Sequence, residues 1–362
     1  MNAPLIIRDR VISTGIVQGG MGAGFSLELL AGRVSQQGGL GVVSSVGLDR
    51  IVSKRVNKKL DTAEATALEI SLAKSRGGIA GINIMKALVR DFTMSIQGAL
   101  EANVDVIFSG AGLPLDLPKH VGKRDVGLVP IVSSKRSLEA ICRWWERHHK
   151  RRPDAVVLEG PLAGGHLGFG YREIFNDAFS LESIFPEVKE YAMNHGDFPV
   201  IVAGGIDTPE KVNWWRKQGA DGTQHGTLFL ATEESGASDN FKSALIAASK
   251  EDIIVVDGDV NPLGSPCLMT FRILRTSPMF REPNQGRRTC EKGYVLQMDK
   301  DGRPLPCMAI RHPDKYFCIC NGLFAACAYE DGPEIWTVGA HAWRIKQIST
   351  VYEVMNLLTG SA

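Results

Sequence analysis

The sequence has almost no excess of either charge. It carries 41 Lys and Arg against 40 Asp and Glu in 362 residues, a formal charge of +1. Nucleic acids and anionic lipid surfaces are held by an excess of basic groups, so neither is anticipated as a partner. No run approaches the ~18 apolar residues that suggest a membrane span. The opening residues, MNAPLIIRDRVIST, contain no continuous apolar stretch and no small-residue cleavage motif. A cytoplasmic protein is the expectation.

Metal-site spacing is missing too. Six of the seven cysteines follow residue 260, at Cys267, Cys290, Cys307, Cys318, Cys320 and Cys327. Cys318 and Cys320 are separated by one residue, whereas metal sites favour two or more. No metal is expected, and the default role of these residues is as thiols packing a cap. P-loop, Gly-x-Ser-x-Gly and Ser-x-x-Lys patterns are absent in any catalytic context. The dinucleotide fingerprint is absent as well: Gly19-Gly20-Met21-Gly22-Ala23-Gly24 is glycine-rich at a different spacing.

What is present is a rhythm. Eight short, mostly apolar runs, at 15–18, 40–44, 79–84, 104–108, 128–132, 155–158, 200–203 and 222–225, alternate with amphipathic helical patterns. Pro209 opens one of these helices after Asp207-Thr208. Eight such units predict an α/β fold, a closed parallel TIM (β/α)8 barrel, over residues 1–256. After Lys250 the alternation stops. Residues 257–345 are rich in Pro, Gly, Cys and aromatics, as in Asn261-Pro262-Leu263-Gly264-Ser265-Pro266, and read as an irregular cap over the loop face. Such a cap could double as a homodimer surface. Residues 346–362 read as a helix returning to the barrel.

Barrel enzymes work at the C-terminal ends of their strands, so the loops there hold the candidates. Gly204-Gly205 follows the seventh run, and Gly226-Thr227 follows the eighth. Loops at these places often bind phosphate through backbone N–H groups, although glycines can also serve only to turn the chain. Glu159 and the loop Gly164-Gly165-His166 follow the sixth run. A histidine there can act as acid or base near neutral pH, or it can be a plain surface residue. His225 ends the eighth run and reads first as a hydrogen-bonded packing residue. Gly20-Met21-Gly22 could support a flat ring, or be a turn with a core methionine. Asn83, at the end of the third run, offers donor and acceptor to a heterocycle edge, or a structural hydrogen bond.

These pieces together resemble nitronate monooxygenases (2-nitropropane dioxygenases) and their relatives, the FMN-type enoyl-acyl carrier protein reductases. The resemblance rests on Ile16 to Gly22, Gly38 to Ser44, Gly81 to Met85, Ser109 to Gly112, Glu159 to Gly168, Ala203 to Ile206, Ala220 to Gly222, Gly226 to Ser235 and Cys320 to Leu323. It departs at His225, where the family often has an apolar residue, and at Pro161-Leu162. The resemblance implies FMN, with Gly20, Met21 and Gly22 at the isoalloxazine and Asn83 and Glu159 around the flavin and ribityl chain. Gly164 and Gly165 would line the cofactor. His166 would stand at its reactive face as catalytic base, and Gly204, Gly205, Gly226 and Thr227 would hold the phosphate. The implied reaction is oxidation of a small-molecule alkyl nitronate by O2. The alternatives are NAD(P)H-dependent reduction of an enoyl thioester or quinone, and a non-catalytic flavin- or acyl-binding protein.

Overall fold

The computed structural model describes residues 4–88, 90–257, 270–281, 290, 292–294, 297–298, 304–305, 307–313 and 315–361. Among the described residues, no helix is long and apolar enough to cross a membrane. Cys267 and the Asn261 to Pro266 run lie outside the described residues.

The eight anticipated strands form, each within a residue or two of its apolar run. They are β1 (Ile16–Gln18), β2 (Gly41–Ser44), β3 (Ala80–Asn83), β4 (Val106–Ser109), β5 (Gly127–Val132), β6 (Val156–Glu159), β7 (Val200–Ala203) and β8 (Gly222–His225). Each pairs in parallel with the next from β2 to β8, and β8 pairs in parallel with β1. The ring closes through a parallel bridge between Val17 and Leu40, where Gln18 N–H donates to the Leu40 carbonyl at 3.0 Å. Helices run between the strands, as the TIM-barrel pattern requires.

Side chains alternate across each strand, and this sorts the core into two layers. Val17, Val42, Val106, Phe108, Val129, Val157, Ile201 and Ala203 pack together inside the ring. Ile16, Val43, Ile82, Ile107, Leu128, Val156, Leu158, Val200 and Val202 face the helices instead. An N-terminal hairpin, Leu5–Ile7 with Arg10–Ile12, was not visible in the strand pattern. Its Leu5, Ile7 and Ile12 are buried against the inner layer and plug the end of the barrel away from the loops that carry the site.

The region expected to be irregular contributes regular structure next to the barrel mouth. Phe271–Leu274 pairs antiparallel with Ile253–Val256 on one side and with Gly165–His166 on the other. The last helix, Val351–Thr359, opens on a capping box: Glu353 N–H donates to Thr350 Oγ1, and Thr350 N–H donates to the Glu353 carboxylate. It packs against the helices Glu28–Gln36 and Pro209–Lys217.

Helix and strand approach so closely at one point that only glycine fits. A Cβ on Gly41 would overlap the carbonyl of Ala31, in the helix Glu28–Gln36. Gly41→Ala should therefore force backbone apart and cost about 2 kcal/mol or more of stability. Urea unfolding reads this as a lower midpoint at unchanged slope; a wild-type midpoint would mean that the helix yields freely.

Candidate active site

At the C-terminal ends of the strands lies a cavity of about 790 Å³. All the sequence-predicted site residues line it: Gly20, Met21, Gly22, Asn83, Glu159, Gly164, Gly165, His166, Gly204, Gly205, Gly226 and Thr227. They come from β1, β3, β6, β7 and β8 and the loops that follow, so barrel closure alone gathers them.

The β1 loop is held from both sides. Met21 N–H donates to Ser26 Oγ at 2.9 Å, and Gly19 N–H donates to the His225 carbonyl at 2.8 Å. Asn83 Nδ2 donates to the Gly20 carbonyl at 3.1 Å. One of its donors thus organises the loop, which was the structural alternative for this residue.

Beyond β7 the chain turns through Gly204 and Gly205, whose φ values of +102° and +75° suit glycine. Beyond β8, Gly226 precedes the short helix Thr227–Leu230. Thr227 Oγ1 accepts the N–H of Gly339 at 2.9 Å. His225 also lines the cavity, but both of its ring nitrogens are engaged within the protein. Its Nδ1 donates to the Ile206 carbonyl at 2.9 Å, and its Nε2 accepts from the Thr223 hydroxyl at 2.8 Å. Burial pushes its pKa down to about 4, against the pull of the Ile206 carbonyl and Asp207. It is a neutral packing residue with both ring nitrogens satisfied.

His166 is different. Its pairing with Phe271 fixes the backbone, and its ring meets the Phe271 ring edge-on at a centroid distance of 4.6 Å. Burial lowers its pKa to about 4, so the imidazole is neutral at neutral pH. Its Nε2 is buried and has no hydrogen-bond partner among the described residues. A buried, unsatisfied nitrogen costs free energy, and such atoms mark sites where something else binds.

The residue that organises this corner was missed in the sequence. Arg272 is only 4% exposed, and its Nη1 donates to the carbonyls of Pro161 (2.8 Å) and Ala163. It thereby holds the loop between Glu159 and His166. Burial raises the pKa of Glu159 to about 7, opposed among the described residues by the charge of Arg272. Burial in turn lowers Arg272 to about 10. No local signal marked Arg272; it sits in a strand that becomes recognisable only when paired with the His166 loop. A second missed group, His341, lines the cavity beside Gly205 and comes from a segment with no periodic pattern.

Among the described residues, no group of three or more His, Cys, Asp or Glu side chains is placed to hold a metal ion. The six described cysteines are free thiols.

A parallel barrel with a cavity at its C-terminal mouth, walled by glycine loops and by His166, defines the class: a (β/α)8-barrel enzyme. The nitronate monooxygenase family model matches residues 6–263, and the chain belongs to that family of flavin-dependent oxidoreductases. A probable nitronate monooxygenase of Staphylococcus haemolyticus (strain JCSC1435) is 36% identical over 107 residues, 29% of this chain and 29% of the relative. A (3aS,4S,5R,7aS)-5-hydroxy-7a-methyl-1-oxo-octahydro-1H-indene-4-carboxyl-CoA dehydrogenase of Rhodococcus jostii (strain RHA1) is 26% identical over 249 residues, 67% of this chain and 60% of the relative. The matches thus span less than two thirds of either relative. Among solved structures, FabK from Thermotoga maritima superposes with a TM-score of 0.68 at 22% identity, covering 96% of this chain and 91% of its own. Nitroalkane oxidase from Streptomyces ansochromogenes gives 0.65 at 20% identity, covering 96% and 94%. At these identities the structures share the fold.

Arg272→Met leaves Glu159 without its cation and two carbonyls without their donor. The expected cost is about 3 kcal/mol, partly recovered when Glu159→Gln is added. A double-mutant cycle by urea unfolding at pH 7 measures the coupling; additivity within ~0.5 kcal/mol would show that the pair does not interact.

Proposed function

We propose that this chain binds FMN and oxidises alkyl nitronates with O2 to a carbonyl compound and nitrite, with His166 as the base toward neutral nitroalkanes. The observation that carries the reading is His166 on the wall of the cavity, with an Nε2 that is buried and has no hydrogen-bond partner among the described residues.

The residues present suit the cofactor. At Gly205 a Cβ would lie 2.7 Å from Leu162 Cδ1, and at Gly204 it would lie 3.0 Å from the Gly160 carbonyl. Side chains are excluded there, and backbone N–H groups are left to meet an anion. Gly204, Gly205, Gly226 and Thr227 would hold the phosphate. Gly20, Met21 and Gly22 would lie along the ring, with Gly164 and Gly165 lining it and Asn83 and Glu159 at its polar atoms. A carboxyl raised to about 7 is part-protonated at neutral pH, so Glu159 can donate as well as accept there.

When bound, FMN supplies the electron acceptor and the point of reaction with O2. The protein binds the substrate, orients it and handles the proton. His166 is neutral at neutral pH, so its Nε2 can take the α-proton of a nitroalkane directly. A nitronate, already an anion, needs no such step. Phe271 holds the imidazole from one side, and the Arg272 clamp keeps the loop beneath it in place.

His166→Asn should keep its flavin spectrum, lose about 10²–10⁴-fold in rate on neutral nitroalkane, and lose far less on preformed nitronate. Equal turnover of nitroalkane by variant and wild type would remove His166 from the mechanism.

A second reading, NAD(P)H-dependent reduction of an enoyl thioester or quinone, draws on the Rhodococcus jostii relative, whose name specifies a CoA thioester. Anaerobic mixing separates the two. Bleaching or a one-electron intermediate with ethyl nitronate alone supports the first reading; bleaching with NADPH alone supports the second.

A further inference from the structure

Behind the Gly204-Gly205 turn, four charged or titratable side chains converge from two distant parts of the chain. Lys211 Nζ donates to the Gly205 carbonyl at 2.8 Å and to Asp207. Arg344 Nη1 donates to Asp207 Oδ2 at 2.9 Å. His341 Nδ1 lies 3.0 Å from the Gly205 carbonyl and 3.5 Å from Asp207 Oδ2. His341 and Arg344 both line the cavity. Burial alone would raise the Asp207 pKa, but its bonds to His341 and Lys211 outweigh this and hold the carboxyl well below the usual range. The group therefore has one anion and two permanent cations, a net charge of +1 before His341 is counted.

The segment that carries His341 also roofs this end of the cavity. Ala340 N–H donates to the Leu162 carbonyl at 3.1 Å. Gly339 N–H fills an acceptor position on Thr227 Oγ1, which leaves the Thr227 hydroxyl proton free to be donated elsewhere. Gly204, Gly205, Gly226 and Thr227 are all uncharged donors, whereas a phosphate monoester near neutral pH carries most of two negative charges.

We propose that Lys211 and Arg344, gathered on Asp207, form the cationic side of the flavin-phosphate subsite, with His341 in contact with the phosphate. The inference rests on the FMN reading and deepens it by assigning the charge that distinguishes FMN from the unphosphorylated flavin. Lys211 Nζ, which can only donate, lies 3.1 Å from His341 Nδ1, so Nδ1 accepts and the ring N–H stands on Nε2, left for a phosphate oxygen. Lys211 and Arg344 act through the field of the cluster.

The test is the dissociation constant of FMN and of riboflavin, read by flavin fluorescence with the full-length protein stripped of flavin. Wild type is compared with His341→Gln, Lys211→Met and Arg344→Met. We expect FMN binding to weaken by about tenfold in His341→Gln and by several-fold in the other two, with riboflavin binding within about twofold of wild type. Riboflavin is also the control for folding. Equal loss of both flavins would reduce the cluster to a prop for the roof and overturn the proposal, as would an unchanged FMN-to-riboflavin ratio in all three variants. A wild-type protein that binds neither flavin would overturn the FMN reading itself.

Discussion

The bridge between Val17 and Leu40 is the contact on which the rest of the site depends. It joins the first and second strands of a parallel ring whose other neighbours are already paired. Parallel strands point their C-terminal ends the same way, so a closed ring must bring the ends of all eight to one mouth. Residues as far apart in sequence as Gly20, Asn83, Glu159, Gly205 and Thr227 meet there because they follow or end strands of the ring. The inner layer of Val, Ile and Phe side chains fills the barrel below them, and the hairpin bearing Leu5, Ile7 and Ile12 closes the far end. The floor of the cavity is therefore a packed apolar core.

On that floor, electrostatics divides the cavity into two ends. At one end Glu159, Arg272 and His166 form a buried corner. Among the described residues, Arg272 is the charge that opposes the desolvation of Glu159, and it also holds the backbone that leads to His166. Burial keeps the histidine neutral, and its Nε2 has no hydrogen-bond partner among the described residues. At the other end lie the glycine turns, backed by the excess positive charge around Asp207. A neutral imidazole at one end and excess positive charge at the other suit a ligand that carries its charge on a tail and its reactive face elsewhere.

Much of this was legible in the sequence, for a simple reason. Strand periodicity is local, and in runs such as Val200-Ile201-Val202-Ala203 the apolar side chains must be buried on both faces. Eight such runs with helices between them leave few topologies, and glycines at the strand ends point to the mouth. His225, at the end of β8, reads first as a hydrogen-bonded packing residue, and its bonds to Ile206 and Thr223 agree with that.

Arg272, His341 and the hairpin at 5–12 were beyond such reading. The hairpin is too short for a periodic signal. Phe271–Leu274 becomes a site element only by pairing across about a hundred residues with Gly165–His166. His341 gains its setting from Gly205 and Asp207, far earlier in the chain. The sequence by itself determined the barrel, its mouth and the loops that face it, because those follow from side-chain period and chain direction. Only the tertiary structure decided which charges face those loops, because the partners of a buried charge are chosen by distance in space, and no local pattern records it.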